Sequence, residues 1–194
     1  IISYGPLRTI VEVIDRGWQL PVDSSKLEEA QPDTKSSASV GGDLQSPTVN
    51  LTLRYTQYSG HRDTDVDVIF NRDASACRFS TGVINVKGSE EFSDHRGLRA
   101  CWGTDYPSTD TLKWKRETVG LAVLIPYEYI VSEEPANKDN YAFVVAPKGK
   151  TMHYKVAYCS DNETFGYHSA TAWFEWLRQW RKEVDKPLTI LIKQ

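Results

Sequence analysis

The sequence predicts a mainly β protein, an antiparallel β-sandwich closed by one C-terminal helix. Three observations predict it. Apolar and polar residues alternate strictly over Val49–Gln57, as they must on a strand with one dry face and one wet face. Segments rich in β-branched and aromatic residues, nine in all, recur at short intervals between Gly, Pro, Asn or Asp. Only one stretch has helical periodicity, so the helices that a parallel βαβ sheet needs between its strands are missing.

In chain order the first expected strand is Leu7–Ile14. Residues 23–46 then carry Ser, Asp, Glu, Lys and Gly with almost no large apolar side chain, which predicts a flexible polar loop, long enough to be functional. In the strand Val49–Gln57, Val49, Leu51, Leu53 and Tyr55 share the inward face. A short turn with Ser59-Gly60 leads to Asp65–Phe70, where Val66, Val68 and Phe70 point inward, and the two segments read as an antiparallel pair. Further strands are expected at Arg78–Val86, Leu98–Trp102, Val119–Ile125, Tyr141–Ala146, Met152–Tyr158 and Leu188–Ile192. The helix is expected from Ala170 to Val184. Ser169 caps it, Trp173, Trp176, Leu177, Trp180 and Val184 form one apolar stripe, and Pro187 ends it. Three Trp on that stripe read as packing against a sheet rather than as a sugar platform.

A chain of 194 residues fits one domain, 1–194, with enough length to bury a core. Net charge is −3 and the pI about 5.8, so no cationic excess is present to hold a phosphate backbone, and nucleic acid is not an expected partner. No run approaches the roughly 20 apolar residues of a membrane-spanning helix. Cys77, Cys101 and Cys159 form no CxxC pair and read as structural thiols, with one disulfide left open. No His, Asp or Glu spacing is diagnostic of a metal, and no phosphate-binding, dinucleotide-binding or nucleophile-elbow motif is present, so neither metal nor cofactor is expected.

Two polar clusters carry the chemistry. Gly60-His61-Arg62-Asp63 occupies the turn between two strands, where Arg62 suits a carboxylate and His61 a proton, against the competing reading of a salt-bridged turn. Ser93-Asp94-His95-Arg96-Gly97 and Asp105-Tyr106-Pro107 lie near the two ends of the strand Leu98–Trp102, roughly 17 Å apart if it is straight. There His95 beside Asp94 suits general acid–base work, Arg96 a carboxylate, and Trp102 and Tyr106 stacking on a sugar ring. The competing reading makes Asp94 a turn cap and Trp102 a core residue. A third group, His153, Tyr158 and Tyr167-His168, is weaker.

The segments SYGPLRTIVEV (3–13), YSGHRDTDVDVIF (58–70), SDHRGLRACWGTDYP (93–107), TVGLAVLIP (118–126) and TAWFEWLRQW (171–180) together resemble the domain-of-unknown-function family numbered 4861. The resemblance implies a galactose-mutarotase type of sandwich. It also implies a secreted or periplasmic location and an association with the breakdown of acidic polysaccharides. By the same resemblance the chain is the C-terminal part of a larger family domain, so that a missing N-terminal portion, or a second copy, completes the assembly. No motif here aligns with the catalytic His and Glu of mutarotases.

The leading expectation is a carbohydrate-active protein, an enzyme for uronate-containing glycans by hydrolysis, lyase or epimerase chemistry. His95, His61, Asp94 and Asp105 are its catalytic candidates, and Arg62, Arg96, Trp102 and Tyr106 bind substrate. Hydrolysis calls for two carboxyls about 5–9 Å apart, to be sought among Asp63, Asp94 and Asp105. A non-catalytic glycan-binding module and a structural assembly domain are the alternatives.

Overall fold

The computed structural model describes residues 1–19 and 48–188. The expected polar loop 23–46 lies outside the described residues, and so do 189–192 of the last expected strand, whose first residue, Leu188, is exposed and in no strand. Eleven strands and one helix are described: β1 (Ser3–Tyr4), β2 (Arg8–Gln19), β3 (Thr48–Tyr58), β4 (Asp63–Phe70), β5 (Phe79–Ile84), β6 (Glu90–Ser93), β7 (Leu98–Asp105), β8 (Glu117–Leu124), β9 (Ile130–Glu133), β10 (Asn140–Val145), β11 (Thr151–Ser160) and α1 (Ala170–Asp185).

Eight strands form one sheet in the order β1-β2-β3-β4-β11-β8-β7-β6, and three form a second in the order β5-β10-β9. Every pairing is antiparallel. The fold is therefore mainly β, a sandwich of unequal sheets with one helix near the C-terminus.

The alternation read from the sequence decides which face each residue serves. On one face of the large sheet Val49, Leu51, Val68, Phe70, Val123 and Met152 pack with Tyr129, Phe143 and Val145 in the space under the small sheet. On the other face Leu98, Ala100, Trp102, Ala122, Leu124, Ala157 and Cys159 meet Trp173, Phe174, Leu177 and Trp180 of α1. Strands β7 and β8 are thus covered on both sides, by the small sheet and by the helix. At Leu98–Gly103 every residue is buried, and the wet face expected of a sandwich strand disappears.

The one charged residue in that buried run is Arg99. Its guanidinium reaches Glu91 at 2.8 Å, donates to the carbonyls of Glu134 (2.7 Å) and Ala142 (2.8 Å), and stacks near the rings of Tyr141 and Phe143. A buried cation is tolerable only when paired and hydrogen-bonded on most sides. Here the partners come from both sheets, so Arg99 fastens one to the other.

Helix α1 starts where the sequence places it: the Ser169 side chain accepts from the Ala172 N–H at 3.2 Å. Its tryptophans stack, Trp173 on Trp176 at 5.1 Å and Trp176 on Trp180 at 5.5 Å between centroids. The helix is 16 residues long and among the described residues none is long and apolar enough to cross a membrane. Cys77, Cys101 and Cys159 are free thiols; burial pushes Cys159 up to about 11 and raises Cys101 as well.

Candidate functional site

The small sheet does not reach the whole inner face of the large one. Beyond the end of β5 at Val83 and Ile84, the inner side of β8 and β11 is left uncovered by the described residues, and a cleft of about 920 Å³ opens there. Leu121 and Val156 form its floor, Ile84 and Tyr158 one rim, and the β3–β4 hairpin another, with Gln57, His61, Arg62 and Thr64. Glu163 and Phe165, from the loop between β11 and α1, close the end. Tyr158 is 56% and Phe165 78% exposed, so two aromatic faces stand toward solvent at the mouth.

The hairpin that carries His61 is built to hold it. Gly60 adopts φ +77°, the left-handed region that glycine enters without cost, and the His61 N–H donates to the Tyr58 carbonyl to close the turn. The Gln57 amide donates to the Tyr58 carbonyl at 3.1 Å and the His61 carbonyl at 2.7 Å, and Thr64 donates back to Gln57. The backbone is therefore tied on both sides of the histidine, while its side chain stays 62% exposed.

Behind His61 lies a row of charges on the opposite face of the sheet. His61 Nδ1 is 3.3 Å from Asp63 Oδ1, Asp63 Oδ2 is 3.0 Å from Lys155 Nζ, and the same ammonium contacts Asp65. Burial works to raise the Asp63 pKa. Hydrogen bonding and charge from Lys155 outweigh it, and the carboxyl titrates below its ordinary value. The Trp180 indole N–H, buried and without an acceptor in hydrogen-bond geometry among the described residues, also lowers it. Lys155 shows the mirror image: burial opposes its charge, but the two carboxylates raise its pKa above the ordinary value.

Both shifts predict a pH dependence of stability, and their signs differ. The Asp63 contribution is complete above its unfolded pKa of about 3.9 and is lost as pH falls through the lower folded value. The Lys155 contribution is complete below about 10.4 and is lost as pH rises through the higher folded value. In urea titrations, Asp63→Asn is expected to flatten the acid limb of the midpoint-versus-pH curve below about pH 4 relative to wild type. An unchanged acid limb would show that Asp63 carries no linked stability.

Arg62 is engaged within the cleft wall. It contacts Glu163 at 2.6 Å, donates to the carbonyls of Tyr158 (3.3 Å) and Phe165 (3.2 Å), and lies over the rings of Phe165 and Tyr167. It is the only Arg or Lys lining the cleft among the described residues, and it pins the β11–α1 loop against the hairpin.

The other candidates from the sequence do not join this group. By register Asp63 is level with Ala100, through Ala157 and Ala122. Three strand spacings separate them sideways, about 14 Å, and Asp105 with Tyr106 lies another five residues along β7, about 17 Å. Asp94, His95 and Arg96 lie a similar distance off in the opposite direction. Asp94 accepts from the backbone N–H of Arg96 at 2.7 Å and of Leu98 at 2.9 Å, the work of a turn cap. His95 sits at φ +54° in that turn, exposed, with Nδ1 3.0 Å from Glu133. Arg96 is exposed. Asp105 accepts from the Tyr106 N–H. Trp102 is 9% exposed and belongs to the core beneath α1. Of the eight named residues, then, the cleft gathers His61 and Arg62.

The sequence reading passed over Glu163, Phe165, Lys155 and Gln57. Glu163 and Phe165 come from a segment, Asp161–His168, with no strand or helix period, and they meet Arg62 across about a hundred positions of chain. Lys155 was hidden as one polar residue in an alternating strand. Only its place opposite Asp65 on the neighbouring strand brings it to the aspartates.

The sequence pattern of a family described as a domain of unknown function, DUF4861, matches residues 1–190 of the chain. No curated protein and no solved structure matches it.

Proposed function

From the premise that this chain belongs to the DUF4861 family, we propose that it is a carbohydrate-active protein whose cleft binds a uronate-containing glycan and whose His61 takes a proton from the sugar carbon beside the carboxyl. That step opens both β-elimination and epimerisation. The observation that carries the reading is the His61–Asp63 pair at the cleft mouth. An ionised carboxylate opposite Nδ1 favours the hydrogen there and leaves the Nε2 lone pair, which accepts no hydrogen bond from a described residue, to accept a proton.

Two further features support it. The exposed rings of Tyr158 and Phe165 offer the flat apolar faces that pyranose rings stack on, and Arg62, with Glu163 as its present partner, is the one cation lining the cleft among the described residues for an acidic ligand. Two-carboxylate hydrolysis has less support, because Glu163 is the one carboxylate lining the cleft among the described residues and it is paired to Arg62. We read the unequal sandwich as a galactose-mutarotase type of framework. Action on a polymeric acidic glycan points to a secreted or periplasmic setting.

A non-catalytic glycan-binding module uses the same aromatic rim, and one experiment separates the two. Oligosaccharides of glucuronate, galacturonate and mixed uronates are incubated with the protein in deuterated water. Loss of the proton beside the carboxyl, seen as deuterium in recovered sugar or as ultraviolet absorbance of an unsaturated uronate, is the expected result. New reducing ends without either signal would overturn the reading in favour of hydrolysis, and binding without any chemistry in favour of the module. Phe165→Ala is expected to weaken binding by about three- to tenfold, the worth of one stacking face, with stability changed by less than about 0.5 kcal/mol because the ring is already in water. Calorimetric titration and thermal melts check the two halves of that statement.

A further inference from the structure

The half-buried lysine on the far side of the hairpin has no place in the cleft, yet it touches the carboxylate that meets His61. We propose that Asp63 and Lys155 act together as positioning residues: the carboxylate fixes the ring nitrogen of His61 that carries the hydrogen, and the ammonium fixes which atom of residue 63 faces the ring.

The argument is one of geometry. Lys155 projects from β11 to the face of the large sheet that bears Asp63 and Asp65, with each aspartate as a partner. An ammonium only donates hydrogen bonds. Whatever atom stands at the Oδ2 position of residue 63 must therefore accept, and Asp65 holds the ammonium in place from its other side. Of the two Asp63 oxygens, one is thereby committed to Lys155 and the other to His61 Nδ1, at 3.3 Å. A carboxylate satisfies both neighbours as an acceptor, so Nδ1 must donate. Nε2 then keeps the lone pair, on a residue that lines the cleft.

An amide at position 63 cannot do the same. In Asp63→Asn the carbonyl oxygen must face Lys155, because the amide NH₂ set against an ammonium would oppose donor to donor. The NH₂ then faces His61, Nδ1 has to accept, and the hydrogen moves to Nε2. The Nε2 lone pair is lost with no change in shape. Releasing the constraint reverses the effect: with Lys155→Met added, the amide is free to turn its oxygen back to the ring.

The test reads the ring nitrogens directly, by long-range proton–nitrogen correlation of His61 in the uniformly ¹⁵N-labelled full chain, at about pH 8.5, above the usual histidine range near 6.5. Wild type is expected to show the Nδ1–H form and Asp63→Asn the Nε2–H form. Asp63→Asn/Lys155→Met is expected to regain Nδ1–H, and Lys155→Arg, which keeps a donor at that point, to match wild type. Backbone amide spectra verify the fold of each variant. An Nδ1–H ring in Asp63→Asn, or no difference between Asp63→Asn and the double variant, would overturn the proposal.

The consequence for rate rests on the proton-abstraction reading above, and the two fail separately. Asp63→Asn is expected to lower turnover of a uronate oligosaccharide by about 10²–10⁴-fold, with part of the loss recovered in the double variant. A tautomer that switches as described, in a protein that turns over no uronate, upholds the role of Lys155 and overturns the proton-abstraction reading.

Discussion

Replacing His61 by glutamine is expected to lower the rate of proton removal from a bound uronate by about 10²–10⁴-fold, the usual contribution of a placed general base. Glutamine keeps a polar amide at the end of a chain of similar reach, so the contact with Asp63 can be kept. What disappears is the nitrogen lone pair that takes the proton. On the proposed reading binding should change little, since the glycan would be held by the aromatic rim and the cation in the wall rather than by His61. Stability should also change little, because the imidazole is 62% exposed and the turn is held by Gly60, Gln57 and the backbone rather than by the ring. The expected signature is therefore a fall in kcat with KM nearly constant. Deuterium incorporation and unsaturated-product absorbance measure the first, calorimetric binding the second. Full turnover in His61→Gln would remove the histidine from the chemistry.

How much of this was legible in the sequence depended on whether the controlling contacts are local. Strands β3 and β4 show their alternation because one face of each is dry, and the turn between them announces itself through Ser59-Gly60. Helix α1 shows its stripe and cap for the same reason. Strands β1, β6 and β9 were not foreseen: they have two to four residues, too short for a period to be counted, and exist by pairing with a longer neighbour. β7 was found, but the role of Trp102 could not be read from it. Leu-Arg-Ala-Cys-Trp-Gly has no alternation, because the helix covers one face and the small sheet the other. Nothing local tells a buried Trp from an exposed one.

The site divides in the same way. His61, Arg62 and Asp63 were visible as a polar cluster on a glycine-containing turn, where function commonly sits on a rigid support. The partners that give them chemical meaning were not. Lys155 lies some ninety positions on, and its meaning comes from register alone: Lys155 stands opposite Asp65, and Ala157 opposite Asp63. Glu163 and Phe165 reach the hairpin because β11 ends there and the chain turns back toward α1. Conversely, Asp94 and His95 looked like an acid–base pair because they are adjacent, but adjacency in a turn directs the Asp94 oxygen to backbone N–H groups instead.

The largest expected loss of stability comes from Trp173→Ala. The indole is 0% exposed and packs against β8 at Gly120, where an added Cβ would come within 2.8 Å of both the ring and Cys159 Sγ. Glycine at 120 and tryptophan at 173 are thus one packing solution, and β8 is glycine there because the ring takes the space. Truncation leaves a large void between helix and sheet, which neither a strand held on both sides nor the stacked Trp176 can close. The expected cost is about 3–5 kcal/mol. For a chain of this size that corresponds to a fall in Tm of about 6–20 °C. Trp173→Phe separates volume from polarity. The buried indole N–H has no acceptor among the described residues, so phenylalanine removes an unsatisfied donor while it refills most of the void, and a cost of only about 1–2 kcal/mol is expected. Gly120→Ala, which forces a methyl into the ring that is still present, should destabilise as overpacking does, by about 1–3 kcal/mol. Urea unfolding of the three variants ranks them, and a Trp173→Phe protein as weak as Trp173→Ala would mean that the indole N–H finds a partner in solution.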